Sequence, residues 1–381
     1  MGRPDKRKIR TEFRKHHESR TRKRDLRRDA TRDDFEDSTT AGERLSGKGR
    51  LTRKRTIVGD TTDDETASLS VQLEIDETIC KRGRVLRVFG LSSLVEAEDG
   101  RHYRCAVRRL LKTLSTDQRH VVAAGDCVWF RPESGEEGFI ERVEPRRGIL
   151  CRTSKGRRHV IVANVDQLLI VTSAAEPSLK PNLIDRFLVT AEKARIRPVI
   201  CVNKIDLVDP ADLMPLVGTY GQMGYDVLLV SATTGFGIER LREIVRYRES
   251  VLSGQSGVGK SSLLNAIEPA LALRVRSVSE ENQKGRHTTT TAQLIPLAEG
   301  GYLVDTPGIR QLQLWDVIPE EVAGYFRELR PYVNLCRFPD CTHMHEADCA
   351  VKDAVADGRL DARRYESYCQ IYEEPEINER P

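Results

Sequence analysis

The sequence lacks the long apolar runs that mark membrane-spanning proteins. No stretch reaches the ~18 consecutive apolar residues of a membrane helix, and the most apolar region is interrupted by Asn164, Asp166 and Gln167. The N-terminus is basic and lacks the apolar segment of a secretory signal. We therefore expect a soluble protein without a membrane partner, located in the cytoplasm.

Large apolar side chains are also scarce in residues 1–68. Residues 1–60 contain 20 Lys/Arg and 11 Asp/Glu, a net charge of +9, which leaves −5 for the rest of a 381-residue chain whose total is +4. Such a segment cannot bury enough surface to offset its chain entropy. We predict a disordered basic arm over 1–68, which either binds nucleic-acid phosphates or serves as a solubilising extension.

Residues 69–150 have the pattern of short strands separated by turns. Tyr103, Cys105 and Val107 alternate with polar or small residues, and glycines at 125 and 138 mark turns. The pattern predicts a small OB-type β-barrel, a fold that often binds oligonucleotides. Arginines on these strands either contact RNA or form an ordinary solvated face.

The pattern of apolar residues changes near residue 151. Apolar, β-branched runs alternate with helical periodicity over 151–318, which predicts an α/β domain with a mostly parallel sheet. Residues 319–381 have the composition of a helical domain around a cysteine-rich loop.

A phosphate-binding loop is predicted at residues 254–261, which fit the G-x-x-x-x-G-K-[ST] pattern between a strand and a helix. Its glycines let backbone N–H groups wrap phosphate oxygens, and the helix start favours an anion. We expect Lys260 to reach the β- and γ-phosphates and Ser261 to bind Mg²⁺. The predicted contacts are Gly254, Gln255, Ser256, Gly257, Val258, Gly259, Lys260, Ser261 and Ser262.

Residues 305–308 (DTPG) follow an apolar strand end. The Asp305 carboxylate can hold Mg²⁺ through a water molecule, and the Gly308 amide can sense the γ-phosphate. Residues 288–291 are four threonines, and we select Thr289 as the switch residue that binds Mg²⁺ and the γ-phosphate.

Residues 203–206 (NKID) predict a guanine site. The Asp206 carboxylate can accept hydrogen bonds from guanine N1–H and its 2-amino group, which adenine does not offer. Lys204 can lie along the base plane and Asn203 can brace the loops, while the Ala232 amide at the next strand end can donate to guanine O6. The predicted base contacts are Asn203, Lys204, Ile205, Asp206, Ser231 and Ala232.

The order of these motifs is circularly permuted. Ordinary GTPases place the phosphate loop first, whereas here 203–206 and 231–233 precede 254–261, and no second N-K-x-D follows Gly308. Permutation reconnects strands without moving their carboxyl ends, where doubly wound folds bind ligands. We therefore predict that all three segments meet around one nucleotide.

Three of the nine cysteines cluster with histidine in the C-terminal segment. Thiolates and an imidazole form a complete tetrahedral set for structural Zn²⁺, with no position open for catalysis. His345 is a competing imidazole, and unmetallated buried cysteines are the alternative. The predicted ligands are Cys336, Cys341, His343 and Cys349.

These motifs resemble one family, the ribosome small-subunit-dependent GTPase A family, which are circularly permuted GTPases of bacterial ribosome assembly. The resemblance covers about residues 70–375 and rests on 203–206, 254–262, 285–290, 305–308 and the cysteine–histidine set. It implies binding to the 30S subunit and its 16S rRNA, a role in late subunit maturation, and ribosome-stimulated hydrolysis of GTP to GDP. A partner of that size favours a monomer.

The water-positioning residue of this predicted GTPase is not a glutamine. Ile309 follows Gly308, where many GTPases carry a glutamine that orients the attacking water. The resemblance makes His287 the candidate, acting with Lys260 and Thr289; alternatively His287 is only a mobile loop residue. Other functional hypotheses are a nucleotide-gated RNA-binding scaffold with negligible turnover and a P-loop ATPase or kinase, which Asp206 disfavours.

Overall fold

The computed structural model describes residues 8–11, 55–61, 71–73, 75–107, 121–154, 157–269, 292–305 and 317–374, and it divides into two units at Asp76. The first unit contains an antiparallel sheet of three strands in the order β1-β2-β3. Its strands are β1 (Lys8–Thr11), β2 (Arg55–Thr61) and β3 (Val71–Leu73). Two of them fall within residues 1–68; the remainder of that arm lies outside the described residues, and its disorder stays a prediction.

The second unit begins with a closed five-stranded barrel, in which β6 pairs with β8 in parallel and β7 closes on β4. Alternate residues face inward, because side chains change faces along a strand, and the barrel core contains Val95, Tyr103, Phe130 and Ile140. The predicted OB-type barrel is therefore confirmed. Its strands are β4 (Lys81–Phe89), β5 (Ser92–Ala97), β6 (His102–Val107), β7 (Cys127–Pro132) and β8 (Glu137–Val143).

A hairpin leads from the barrel into a doubly wound sheet ordered β13-β12-β11-β14-β16-β15, parallel except for β15. Near-continuous apolar strands form it, as expected for a sheet buried on both faces. Gln293 of the sheet pairs with Arg87 of the barrel. The strands are β9 (Leu150–Ser154), β10 (Arg157–Val162), β11 (Gln167–Ser173), β12 (Arg197–Asn203), β13 (Asp226–Leu229), β14 (Glu249–Ser253), β15 (Gln293–Pro296) and β16 (Tyr302–Asp305).

Four helices cover the sheet. The first two pack on one face through residues such as Phe187 and Tyr220, and the other two pack on the opposite face through residues such as Leu241 and Leu263. This layering confirms the α/β architecture predicted from the alternating pattern. The helices are α1 (Pro181–Lys193), α2 (Met214–Gln222), α3 (Ile238–Val245) and α4 (Lys260–Ile267).

The C-terminal segment is helical, as predicted, and has its own apolar core around Phe326, Leu329 and Tyr368. Val189 of α1 joins that core, so α1 is the helix on which the segment rests. Among the described residues, every helix is too short or too polar to cross a membrane. The segment contains α5 (Pro319–Tyr325), α6 (Arg330–Val333), α7 (Ala350–Ala356) and α8 (Ala362–Tyr372).

Candidate nucleotide site and metal centre

The predicted nucleotide-binding segments follow strands that end at one edge of the sheet. Residues 203–206 follow β12, residues 231–232 follow β13, and residues 254–259 follow β14. These strands are parallel, so their carboxyl ends share that edge. The fold thus brings together three segments that are distant in the chain.

Two glycines shape the loop between β14 and α4. A side chain at Gly254 would approach the Val171 carbonyl to 2.0 Å, and one at Gly259 would lie 2.4 Å from the Asn203 amide nitrogen. Gly259 also has φ = 92°, which disfavours other residues. The Lys260 ammonium donates to the carbonyls of Gly254 (2.8 Å) and Gln255 (2.7 Å). The first residues of the loop therefore fold back to contact the Lys260 side chain. Ser261 and Ser262 lie in the first turn of α4.

Asn203 connects the three segments. Its buried side-chain amide donates to the Val258 carbonyl at 2.9 Å, and its side-chain oxygen accepts from the Ala232 backbone N–H at 3.2 Å. One side chain thus holds the phosphate loop and the loop after β13 at fixed distances from the end of β12.

Asp206 is held in place by its neighbour across the site. The Ser231 hydroxyl donates to the Asp206 carboxylate at 2.5 Å and accepts from the Thr234 backbone N–H at 3.1 Å. Lys204 adopts a left-handed backbone conformation, with φ = 62°, and its ammonium donates to the Glu176 carbonyl at 2.5 Å. These contacts fix a carboxylate beside an amide N–H, the two groups that can read guanine.

Of the residues predicted to lie near Mg²⁺ and the γ-phosphate, the structure describes only some. Asp305 is the last residue of β16, the strand adjacent to β14, which puts it at the same sheet edge. His287, Thr289 and Gly308 lie outside the described residues.

The four predicted metal ligands come together in the C-terminal segment. Their ligand atoms all lie within 4.8 Å of one another. Cys336 Sγ is 3.4 Å from His343 Nδ1 and 3.9 Å from Cys349 Sγ, and Cys349 Sγ is 3.5 Å from the same nitrogen. A tetrahedral Zn²⁺ with bonds of about 2.0–2.3 Å holds its ligand atoms about 3.5–3.8 Å apart. The distances among Cys336, His343 and Cys349 are close to these values, and Cys341 completes a set of four donors of the kind that binds Zn²⁺.

The choice between two imidazoles is resolved by burial. His343 is 2% exposed and belongs to the cluster, whereas His345 is exposed. Burial lowers the pKa of His343, which keeps its imidazole in the neutral, metal-binding form. Burial also raises the pKa of Cys341 to about 12, so a metal ion must displace its proton.

Glu346 organises the loop between the ligands, a role that sequence reasoning missed. Its carboxylate accepts from the Thr342 backbone N–H and hydroxyl, both at 2.7 Å, and from the backbone N–H groups of Met344 (3.1 Å) and His345 (3.2 Å). Desolvation acts to raise the pKa of Glu346, but these hydrogen bonds lower it to about 2. In the sequence, only the position of Glu346 between the predicted ligands His343 and Cys349 indicates such a role.

Comparison with known proteins gives a consistent result. The model of a family described as RsgA GTPase matches residues 143–315. A "small ribosomal subunit biogenesis GTPase RsgA" from Sodalis glossinidius is 43% identical over 77% of this chain and 85% of its own length, and one from Chlorobaculum parvum is 42% identical over 76% and 96%.

Solved structures agree with these sequence matches. The crystal structure of YjeQ from Thermotoga maritima matches with a TM-score of 0.66 and 37% identity, covering 79% of this chain and all of that one. The structure of YloQ, described as a circularly permuted GTPase, matches with a TM-score of 0.63 and 29% identity, covering 81% and 99%.

Proposed function

This chain belongs to the RsgA GTPase family, and from that membership we propose that it binds the 30S ribosomal subunit through 16S rRNA and hydrolyses GTP during late maturation of that subunit. The curated relatives carry the name small ribosomal subunit biogenesis GTPase. The observation that supports the proposal is the Asn203 side chain, which joins the predicted guanine motif to the predicted phosphate loop.

In this proposal, Asp206 and the Ala232 amide recognise guanine, and residues 254–262 wrap the phosphates. Lys260 exchanges its carbonyl partners for phosphate oxygens, because a cation gains more from an anion than from neutral carbonyls. Ser261 and Thr289 bind Mg²⁺, with Asp305 acting through water. The metal neutralises charge on the phosphates when it is bound.

Zn²⁺ has a structural role in this proposal, with one ion per chain held by Cys336, Cys341, His343 and Cys349. The distances between the ligand atoms support it. A set of four protein ligands leaves no position for substrate, so the ion stabilises the segment between α6 and α7 rather than taking part in hydrolysis.

The outer face of the barrel supplies a surface for RNA. Arg82 and Arg142 lie on strands that flank Trp129, and each guanidinium is within 5.7 Å of the Trp129 ring centre. An aromatic ring beside cations is suited to stacked bases and phosphates. The basic arm at 1–68 adds sequence-independent attraction to RNA. We further propose that the protein is a cytoplasmic monomer.

Hydrolysis assays test the function directly. We expect slow GTP hydrolysis by the protein alone, a large increase with added 30S subunits, and no activity from Lys260→Ala under either condition. GTP binding without stimulated phosphate release would instead indicate a nucleotide-gated scaffold. Equal competition by ATP would indicate a P-loop ATPase.

We propose His287 as the residue that positions water, since Ile309 has no polar group to do so. His287→Ala should abolish most of the 30S-stimulated rate and leave nucleotide affinity intact. An unchanged stimulated rate would remove His287 from the mechanism.

A further inference from the structure

A buried arginine joins the C-terminal segment to the nucleotide-binding domain. Arg364 of α8 is 1% exposed, and its guanidinium is 2.5 Å from the Asp185 carboxylate of α1 and 2.7 Å from that of Glu328. Burial acts to lower the pKa of Arg364, but these two carboxylates raise it, so the side chain is charged. Removing one member of a buried ion pair leaves the other charge without compensation, so the loss of Arg364 would disturb the positions of Asp185 and Glu328.

The Asp185 carboxylate also joins α1 to α2. The Tyr220 hydroxyl donates to Asp185 at 2.6 Å and lies 3.4 Å from the Pro181 carbonyl. Tyr220 belongs to α2, which follows residues 203–206, and Pro181 begins α1. Through Asp185, Arg364 therefore holds the first turns of α1 and the last turn of α2.

The loop before α1, residues 174–180, contacts the nucleotide site itself. Its Glu176 carbonyl accepts from the Lys204 ammonium at 2.5 Å. Ser178 and Lys180 line a small cavity together with Gln255 and Val258 of the phosphate loop. The backbone of this loop therefore sets where the Lys204 side chain lies, and the start of α1 sets where the loop lies.

We propose that Arg364 is a positioning residue for guanine recognition: through Asp185 it fixes the start of α1 and with it the 174–180 loop, and so holds Lys204 in place beside the base. The proposal rests on the proposed function of residues 203–206 as the guanine site. Under this proposal the C-terminal segment affects nucleotide affinity through Lys204, independently of the switch residues.

A second arginine in the same interface provides a matched control. Arg327 donates to Glu192 at 2.7 Å and to the Gly224 carbonyl, just after α2, at 2.9 Å, and it stacks on the Tyr225 ring at 4.1 Å. Glu192 lies in the last turn of α1, far along the helix from Asp185 and the 174–180 loop. Loss of Arg327 loosens the same interface without releasing the start of α1.

The experiment measures GDP affinity in full-length, zinc-loaded protein. We expect Arg364→Met to raise the Kd for GDP about tenfold, the equivalent of about one hydrogen bond to a charged group, with Asp185→Asn behaving alike and Arg364→Lys recovering part of the loss. Arg327→Met should leave the Kd unchanged. In a Lys204→Ala background, Arg364→Met should have no further effect.

Each outcome decides one question. Equal effects of Arg364→Met and Arg327→Met, or an undiminished effect in Lys204→Ala, would overturn the positioning role. If Arg364→Met fails to fold, as judged by zinc content and circular dichroism, Asp185→Asn carries the same test. If Asp206→Asn leaves GDP affinity intact, the proposed guanine site itself is wrong.

Discussion

The side chain of Asn203 donates to the backbone carbonyl of Val258, and this contact joins the predicted guanine motif to the predicted phosphate loop. In this chain residues 203–206 precede residues 254–261, the reverse of their order in ordinary GTPases. The contact therefore does not depend on the order of the motifs along the chain. It follows from parallel strands β12 and β14, which flank β11 and end at the same edge. The permutation changes the connections between strands and leaves their carboxyl ends at one edge of the sheet.

Asn203→Ala should weaken binding of GDP and of a non-hydrolysable GTP analogue by similar factors, on the order of 10- to 100-fold. The substitution leaves the buried Val258 carbonyl without its hydrogen-bond donor, a loss that costs about 1–3 kcal/mol. Fluorescent-nucleotide titration measures the two affinities. Asn334→Ala, on the exposed surface of the C-terminal segment, is the control and should bind normally. A defect for the GTP analogue alone would show that Asn203 serves the γ-phosphate instead.

Zinc removal should unfold the C-terminal segment before the rest of the molecule. Cys336→Ser and His343→Ala should each abolish stoichiometric zinc, because a site with three protein ligands is no longer closed. His345→Ala should retain one ion per chain, as its side chain is outside the cluster. Elemental analysis counts the metal, and limited proteolysis reports the unfolded segment. Zinc loss from His345→Ala with retention in His343→Ala would reverse the ligand assignment.

The sequence predicted the barrel, the permuted α/β domain and the metal cluster because each carries a local signal. Alternation, a glycine-rich loop and clustered cysteines can all be recognised within a few residues. The Asp185–Arg364 pair carries no such signal, since Asp185 lies within an amphipathic helix and its partner is distant in the chain. Likewise, the spacing in the sequence allowed either His343 or His345 to be the fourth metal ligand, and their burial in the structure distinguishes them. The roles of the switch residues remain predictions, and so do the domain boundaries.

Glu346 should slow the release of zinc from its loop. Its carboxylate accepts four hydrogen bonds, and Glu346→Ala leaves those donors to water. Chelator-induced zinc release at neutral pH should accelerate several-fold, with a smaller effect in Glu346→Gln, whose amide oxygen still accepts. The folded pKa of about 2 lies below the ordinary 4.5, so this stabilisation is complete above pH 4.5 and is lost as the pH falls toward 2. Identical release rates in all three proteins would exclude the role.

The barrel should depend on Arg84 for its attachment to the sheet. Arg84 of β4 forms an ion pair with Glu249 at the start of β14, with the two side chains 16% and 9% exposed, and its guanidinium lies 5.9 Å from the Tyr302 ring centre. Removing one partner of a buried ion pair leaves the other charge uncompensated, which costs about 3–5 kcal/mol. Arg84→Met should therefore lower the free energy of unfolding by that amount.

Urea unfolding followed by tryptophan fluorescence measures this loss, because Trp129 lies in the barrel. Arg82→Met is the matched control on the same strand: Arg82 is 57% exposed, and its contacts with Glu98 (4.0 Å) and the Trp129 ring centre (5.6 Å) are each worth about 0–1 kcal/mol. Its unfolding is therefore followed by circular dichroism as well, since the substitution changes the surroundings of Trp129. Replacing both partners, Arg84→Met with Glu249→Leu, should recover much of the stability, since no charge is then left buried. A double variant no more stable than Arg84→Met would mean that Arg84 stabilises the barrel through its contact with Tyr302, and that the ion pair contributes little.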